Sequence, residues 1–241
     1  MKRTGIIIVL FLMCNSASAQ LFTKERIKNQ ENFDKQTWTW GYFLGFNSYD
    51  FKFEYEPTIE EDILVDTSIG FNVGLIGDLR INDYFNLRFE PGLYISKRNL
   101  HYDEGFFDNY SRPFSPSFTL REVNSTYVHF PLLLKVSTKR LNNFKPFIVG
   151  GFSTALNLSS NEDGEDNHSA EFRTKKGMFF YELGFGIDFY LEWFKFTPSI
   201  RGVFALNDEL VRDKTENGPS PWTDNISSMK TRGVFVNFTF Q

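Results

Sequence analysis

The sequence predicts an all-β protein, an eight-stranded antiparallel up-and-down transmembrane β-barrel, and three observations carry that prediction. From residue 38 onward the chain falls into eight segments in which apolar residues recur at every second position, the mark of strands with two unlike faces. The connections between these segments alternate long and short, as they must when successive turns lie at opposite ends of a barrel. The apolar faces are also too bulky to be an interior. Sixteen phenylalanines from Phe51 to Phe240 lie on them, whereas an eight-stranded interior barely holds its own side chains.

The elements follow in chain order. Lys2 and Arg3 precede the apolar run 6–13, and Ala17, Ser18 and Ala19 then offer the small-x-small pattern of a signal-peptide cleavage site, so residues 1–19 read as a cleaved signal peptide. That run is far shorter than the roughly 20 residues of a spanning helix, which excludes a helical membrane protein. The one cysteine, Cys14, falls within the signal peptide, leaving no disulfide and no Cys-ligated metal site in the rest of the chain. Residues 20–37 form a polar periplasmic segment, with Lys24, Glu25, Arg26, Lys28, Glu31, Asp34 and Lys35, too polar to fold alone and free to order against another protein. Residues 38–241 form the barrel domain.

The first barrel segment, 38–55, slips phase once: Tyr42, Leu44 and Phe46 share one face, but Tyr49, Phe51, Phe53 and Tyr55 occupy the next. A β-bulge near Asn47 is the expected cause. Segment 68–81 alternates cleanly, with Ile69, Phe71, Val73, Leu75 and Leu79 opposed by Asn72, Gly74, Asp78 and Arg80. Segments 85–98, 126–137, 144–157, 179–189, 194–206 and 234–240 repeat the pattern. The connections 56–67, 101–121, 159–176 and 208–231 are long; 82–84, 139–143 and 190–193 are short.

Charge decides which face is outside. Lys52, Arg80, Arg88, Arg98, Lys135, Lys145, Lys195 and Arg201 share the smaller face with Asp50, Glu54, Asp78, Glu90, Glu182 and Asp188. A lipid-facing Lys or Arg near the midplane costs about 2–4 kcal/mol, so these groups are expected inside and the phenylalanines outside. Trp38, Trp40, Tyr42, Tyr84, Tyr190 and Trp193 gather at the short-turn end, as an interfacial aromatic girdle should. Bacterial barrels of this kind sit in the outer membrane, with short turns and termini periplasmic and long loops extracellular.

The net charge of −4, or −6 once Lys2 and Arg3 are removed, gives no basic footprint for nucleic acid. Asp78, Arg80, Arg88, Glu90, Lys135, Glu182, Asp188 and Arg201 form a candidate lumen polar network, read as a satisfied plug because eight strands leave little open lumen. His129 is the only histidine on a strand, and no nucleophile motif accompanies it, so the chain is not read as an enzyme. The acidic stretch 161–168 misses the spacing of a calcium loop. No cofactor, metal or small-molecule substrate is expected. The aromatic residues Phe106, Phe107, Tyr110, Phe114 and Phe118 read as extensions of the strands beside them.

Particular residues point further. Asn32-Phe33-Asp34-Lys35 followed by Trp40-Gly41-Tyr42-Phe43-Leu44-Gly45, then Glu122-Val123-Asn124-Ser125-Thr126-Tyr127, Phe130-Pro131-Leu132-Leu133-Leu134-Lys135 and Lys139-Arg140-Leu141-Asn142-Asn143, resemble the PorT family of Bacteroidota. The resemblance implies an outer-membrane barrel needed by the type IX secretion system. That system exports proteins with a C-terminal sorting domain and, in gliding species, supports motility. Because so narrow a barrel passes no folded cargo, the implied role is to assemble, stabilise or position other outer-membrane or periplasmic secretion proteins. Asn32, Phe33, Asp34, Lys35, Lys139, Arg140, Asn142 and Asn143 are the candidate partner surface. Two other classes stay open: a small structural or adhesive outer-membrane barrel, and a membrane-embedded lipid hydrolase.

Overall fold

A computed structural model of the protein describes residues 28–55, 62–103, 119–164, 172–212, 222–223 and 226–241. The signal segment, residues 20–27, the aromatic stretch 106–118 and the second half of the acidic stretch lie outside the described residues. Ten strands are present: β1 (Trp38–Tyr55), β2 (Leu64–Thr67), β3 (Ile69–Arg80), β4 (Phe85–Phe89), β5 (Gly92–His101), β6 (Leu120–Ser137), β7 (Phe144–Asn157), β8 (Gly177–Tyr190), β9 (Lys195–Ala205) and β10 (Ile226–Phe240).

Ten strands make eight staves, because two staves are interrupted. Pro91 has no N–H for the ladder and separates β4 from β5. Both nonetheless keep one register, with Gly77↔Phe89 and Gly74↔Gly92 against β3, and Phe89↔Leu132 and Gly92↔His129 against β6. The other interruption is at Ser68, whose N–H donates to Lys97 O at 3.2 Å. There the pairing with β5 slips by one residue, from Phe71↔Ile95 on β3 to Thr67↔Arg98 on β2. This is a β-bulge, in the second stave and not at Asn47 in the first strand, where one is expected from the sequence.

The staves close into a ring because β1 pairs with both β3 and β10. Its stagger can be followed residue by residue. Thr39 faces Asp78, then Arg88, Leu133, Gly151, Glu182, Val203 and Gly233 in turn, and Gly233 faces Tyr49, ten residues beyond Thr39 on the same strand. An eight-stave ring with that stagger tilts its strands by about 40° and leaves an interior just wide enough for side chains.

Side chains fill it as charge required. Phe71, Leu75, Ile148, Phe152, Leu183 and Phe185 are exposed on the outer wall, whereas Arg88, Glu90, Lys135, Glu182, Asp188 and Arg201 are buried inside. Trp38, Trp40, Tyr42, Tyr84 and Trp193 are exposed at the short-turn end. Tyr190 differs from expectation: it occupies an inward position of β8, is buried, and belongs to the lumen rather than to the girdle.

The phase slip in the first strand has a different cause from the one expected. β1 pairs with β10 without a shift from Tyr42 to Glu54, and its only irregularity lies between Glu54 and Tyr55. Phe43, Asn47, Tyr49 and Phe51 all point inward and are buried, while Asp50, Lys52 and Glu54 lie on the outer side. Tyr49 and Phe51 are therefore not lipid-facing, and Lys52, Asp50 and Glu54 are not lumenal. The strand continues straight, but its surroundings change. Beyond Ser48 the wall leaves the apolar band, and the outer face becomes charged, with Arg232 Nη2 2.6 Å from Asp50 Oδ2.

An apolar cluster occupies the interior at that level, above the buried Arg98. Phe51, Ile63, Leu100, Tyr102, Phe172 and Trp222 belong to a buried cluster that fills the long-loop mouth. The same inversion explains why the strands run further than predicted, β6 starting at Leu120 and β10 at Ile226.

Candidate functional site

Two groups of polar side chains occupy the lumen. In the lower one, Arg88 Nε donates to Asp78 Oδ2 at 2.8 Å and Asn86 Nδ2 to Asp78 Oδ1 at 2.6 Å. Arg88 Nη1 also reaches Glu90 at 3.3 Å, and Arg201 Nη2 holds the other Glu90 oxygen at 2.8 Å. Arg201 Nη1 is 3.3 Å from Glu182. Lys135 pairs with Asp188, which accepts a further hydrogen bond from Thr197 Oγ1 at 2.8 Å. With buried Lys195 beside them, four cations (Arg88, Lys135, Lys195, Arg201) meet four carboxylates (Asp78, Glu90, Glu182, Asp188). Such a set can exist in a water-poor interior because each charge has an opposite neighbour.

Seven of the eight nominated network residues meet in this cluster. Arg80 does not: its guanidinium pairs with Asp83 at the short-turn rim. Lys195 joins the cluster from the same inward face that strand alternation assigns to it. His129 lies above, with Nε2 3.0 Å from the Tyr49 hydroxyl and Nδ1 4.0 Å from Glu182.

The upper group centres on Arg98, whose inward position strand alternation gives but whose partners it does not. Arg98 donates to Ser125 Oγ at 2.6 Å, to Thr231 Oγ1 at 3.0 Å and to the Tyr127 hydroxyl at 3.1 Å, and Tyr127 in turn donates to Glu209 at 2.5 Å. Glu209 comes from a connection that shows no alternation, so nothing in the sequence could have turned it inward. Among the described residues, no group of three or more His, Cys, Asp or Glu is disposed to hold a metal ion.

The short-turn mouth carries the other nominated set. Residues 28–36 are not a free tail: they fold back across the opening around a single 3-10 turn, Phe33–Lys35. The Phe33 ring meets Tyr190 edge-on at 6.2 Å, with the Lys195 ammonium 4.6 Å from its centroid. Asp34 Oδ1 accepts from the Tyr190 hydroxyl at 2.5 Å, and the same carboxylate lies 3.6 Å from Arg140 and 4.0 Å from Lys145.

Arg140 stacks on the Tyr190 ring at 3.7 Å, donates to Gln30 O at 3.3 Å and also grips Asn29 O. Asn143 Oδ1 accepts from the Asn29 backbone N–H at 3.0 Å. Asn142 takes a left-handed φ of 56°, one of the conformations Asn tolerates, and its carbonyl accepts from Arg140 Nε at 2.7 Å. Stretches 32–35 and 139–143, a hundred residues apart, thus form one unit. Asn32, Lys35 and Lys139 stay exposed on its surface.

The sequence profile described as "Outer membrane protein beta-barrel domain" matches residues 19–211. No curated protein matches the chain. Among solved structures it is similar to the N-terminal β-barrel domain of Pseudomonas aeruginosa OprF (12% identity, covering 82% of this chain and 97% of that one, TM-score 0.34). It is similar to Neisserial surface protein A (8%, 85% and 98%, TM-score 0.40) and to the outer membrane protein AlkL (13%, 91% and 92%, TM-score 0.38).

Proposed function

Since the chain belongs to the outer membrane protein beta-barrel domain family and lies in the outer membrane as an antiparallel β-barrel, we propose that it is a PorT-like accessory of the type IX secretion system. It would assemble or position other secretion proteins needed for export of cargo with C-terminal sorting domains and, in a gliding species, for motility. One observation carries this reading: the two PorT-like stretches 32–35 and 139–143 meet at the short-turn mouth, where Arg140 clamps Asn29, Gln30 and Asp34. By the usual orientation that mouth is periplasmic. The filled lumen fits an assembly role better than a conduit.

The test uses two strains, one with residues 21–30 deleted and one with loop 159–176 replaced by a short Gly/Ser linker, each checked for barrel insertion. The deletion is expected to stop cargo secretion while the replacement leaves it intact. Secretion that survives the deletion and fails with the replacement would put the partner surface outside and overturn the proposal. Unchanged secretion in both, with altered surface binding, would favour an adhesive barrel.

A further inference from the structure

The periplasmic mouth has the construction of a ligand site already holding a ligand. Tyr190, Lys145 and Lys195 are buried there, and Arg140 is half-buried against the Tyr190 ring. Into this setting the chain inserts one aromatic ring, Phe33, between the Tyr190 ring and the Lys195 ammonium, and one carboxylate, Asp34, between the Tyr190 hydroxyl and two cations. The rest of the grip is on backbone: Arg140 takes the carbonyls of Asn29 and Gln30, and Tyr190 O accepts from Asn29 Nδ2 at 3.0 Å. Backbone grip with two side-chain determinants is how peptides are recognised.

The occupant is undermatched in charge. Among the described residues, Asp34 is the carboxylate that pairs with Arg140 and Lys145, and the next residue, Lys35, adds a further cation whose ammonium donates to Asn32 Oδ1 at 3.0 Å. The segment also holds Gln30, a non-glycine, at φ 50°, in the left-handed region that ordinary side chains disfavour. A peptide with an acid where Lys35 stands, free of that backbone strain, would complement the mouth better than the resident does.

We propose that the periplasmic mouth is a peptide-binding site selective for an aromatic residue followed by acidic residues, and that the segment 29–35 is its displaceable resident. This rests on the reading of the periplasmic rim as the partner surface, and it names the chemistry a partner would present. A partner strand or tail bearing such a motif replaces Phe33 and Asp34, and the released amino-terminal segment becomes available outside the mouth.

The experiment uses the full mature chain in detergent micelles and a fluorescently labelled Asn-Phe-Asp-Glu peptide, with Asn-Phe-Asn-Gln as the control. Because a resident occupant lowers apparent affinity by the fraction of mouths it fills, Phe33→Ala with Asp34→Asn should tighten peptide binding by about tenfold or more. Arg140→Gln should abolish binding and Lys145→Gln should weaken it. Heat-modifiable gel migration shows that each barrel is folded. No binding to the folded Phe33→Ala/Asp34→Asn variant, or equal binding of both peptides, overturns the proposal and leaves the segment a structural seal. Peptide binding together with normal secretion after deletion of residues 21–30 would leave this site standing and remove the secretion reading, so the two fail separately.

Discussion

At Phe185 and Gly186 two neighbouring residues of β8 face opposite solvents. Phe185 is 60% exposed on the outer wall, so Phe185→Arg should cost about 2–4 kcal/mol and hinder insertion, seen as loss of the heat-modifiable band. Gly186, alternating with Phe185, faces the lumen, where one added methyl is ordinarily mild, but its surroundings say otherwise. A Cβ there would lie 2.6 Å from the Phe147 ring and 2.7 Å from Pro198 O, and the latter is backbone that cannot swing aside. Gly186→Ala is therefore expected to destabilise the barrel clearly, whereas Gly177→Ala, with nothing within 4 Å of the added atom, should be silent. Equal urea midpoints for the two alanine variants would contradict this. Charge pairing gives a second residue-scale prediction. Arg201→Met leaves Glu90 and Glu182 buried without their shared cation, a loss on the order of 3–5 kcal/mol. The same urea titration measures it.

A single strand, β1, spans two environments, and its upper half is where reading by alternation went astray. Apolar residues face out as far as Phe46 and face in from Tyr49, although the strand keeps one register. Period-two analysis reports which face is apolar, not which face is inside, so a strand leaving the bilayer looks like a strand with a bulge. Phe51→Lys, which sets a second cation in the apolar plug against the Arg98 guanidinium, should loosen the long-loop mouth. Lys52→Leu, on the exposed outer side, should be tolerated. Limited proteolysis of the long loops compares them; greater sensitivity in the Lys52 variant would restore the bulge.

On the scale of the whole molecule, side chains fill the ring from end to end. Phe33 and Asp34 close one mouth, charge pairs and aromatic rings occupy the middle, and the cluster around Phe51 and Trp222 closes the other. Purified protein in a planar bilayer is therefore expected to show no steady single-channel conductance, and a stable open level would mean that one closure yields. Orientation gives the companion test. An epitope inserted at Gly164 should be reachable on intact cells, while one at Glu192, in the turn between β8 and β9, should be reachable only after lysis. Glu192 suits this better than Asn142, whose carbonyl helps to hold Arg140.

The sequence by itself determined the class of fold, the eight staves, the lipid-facing wall and seven members of the lumen network, because a two-residue period and the cost of charge in lipid both act locally along each strand. It also marked 32–35 and 139–143 as notable. Only the tertiary structure decided that these two stretches meet and that Tyr190 sits between them. It alone turned Glu209 inward and gathered the apolar cluster at the long-loop mouth. Those outcomes depend on ring closure: a stagger of ten residues brings distant positions to one height, and no local pattern carries that information.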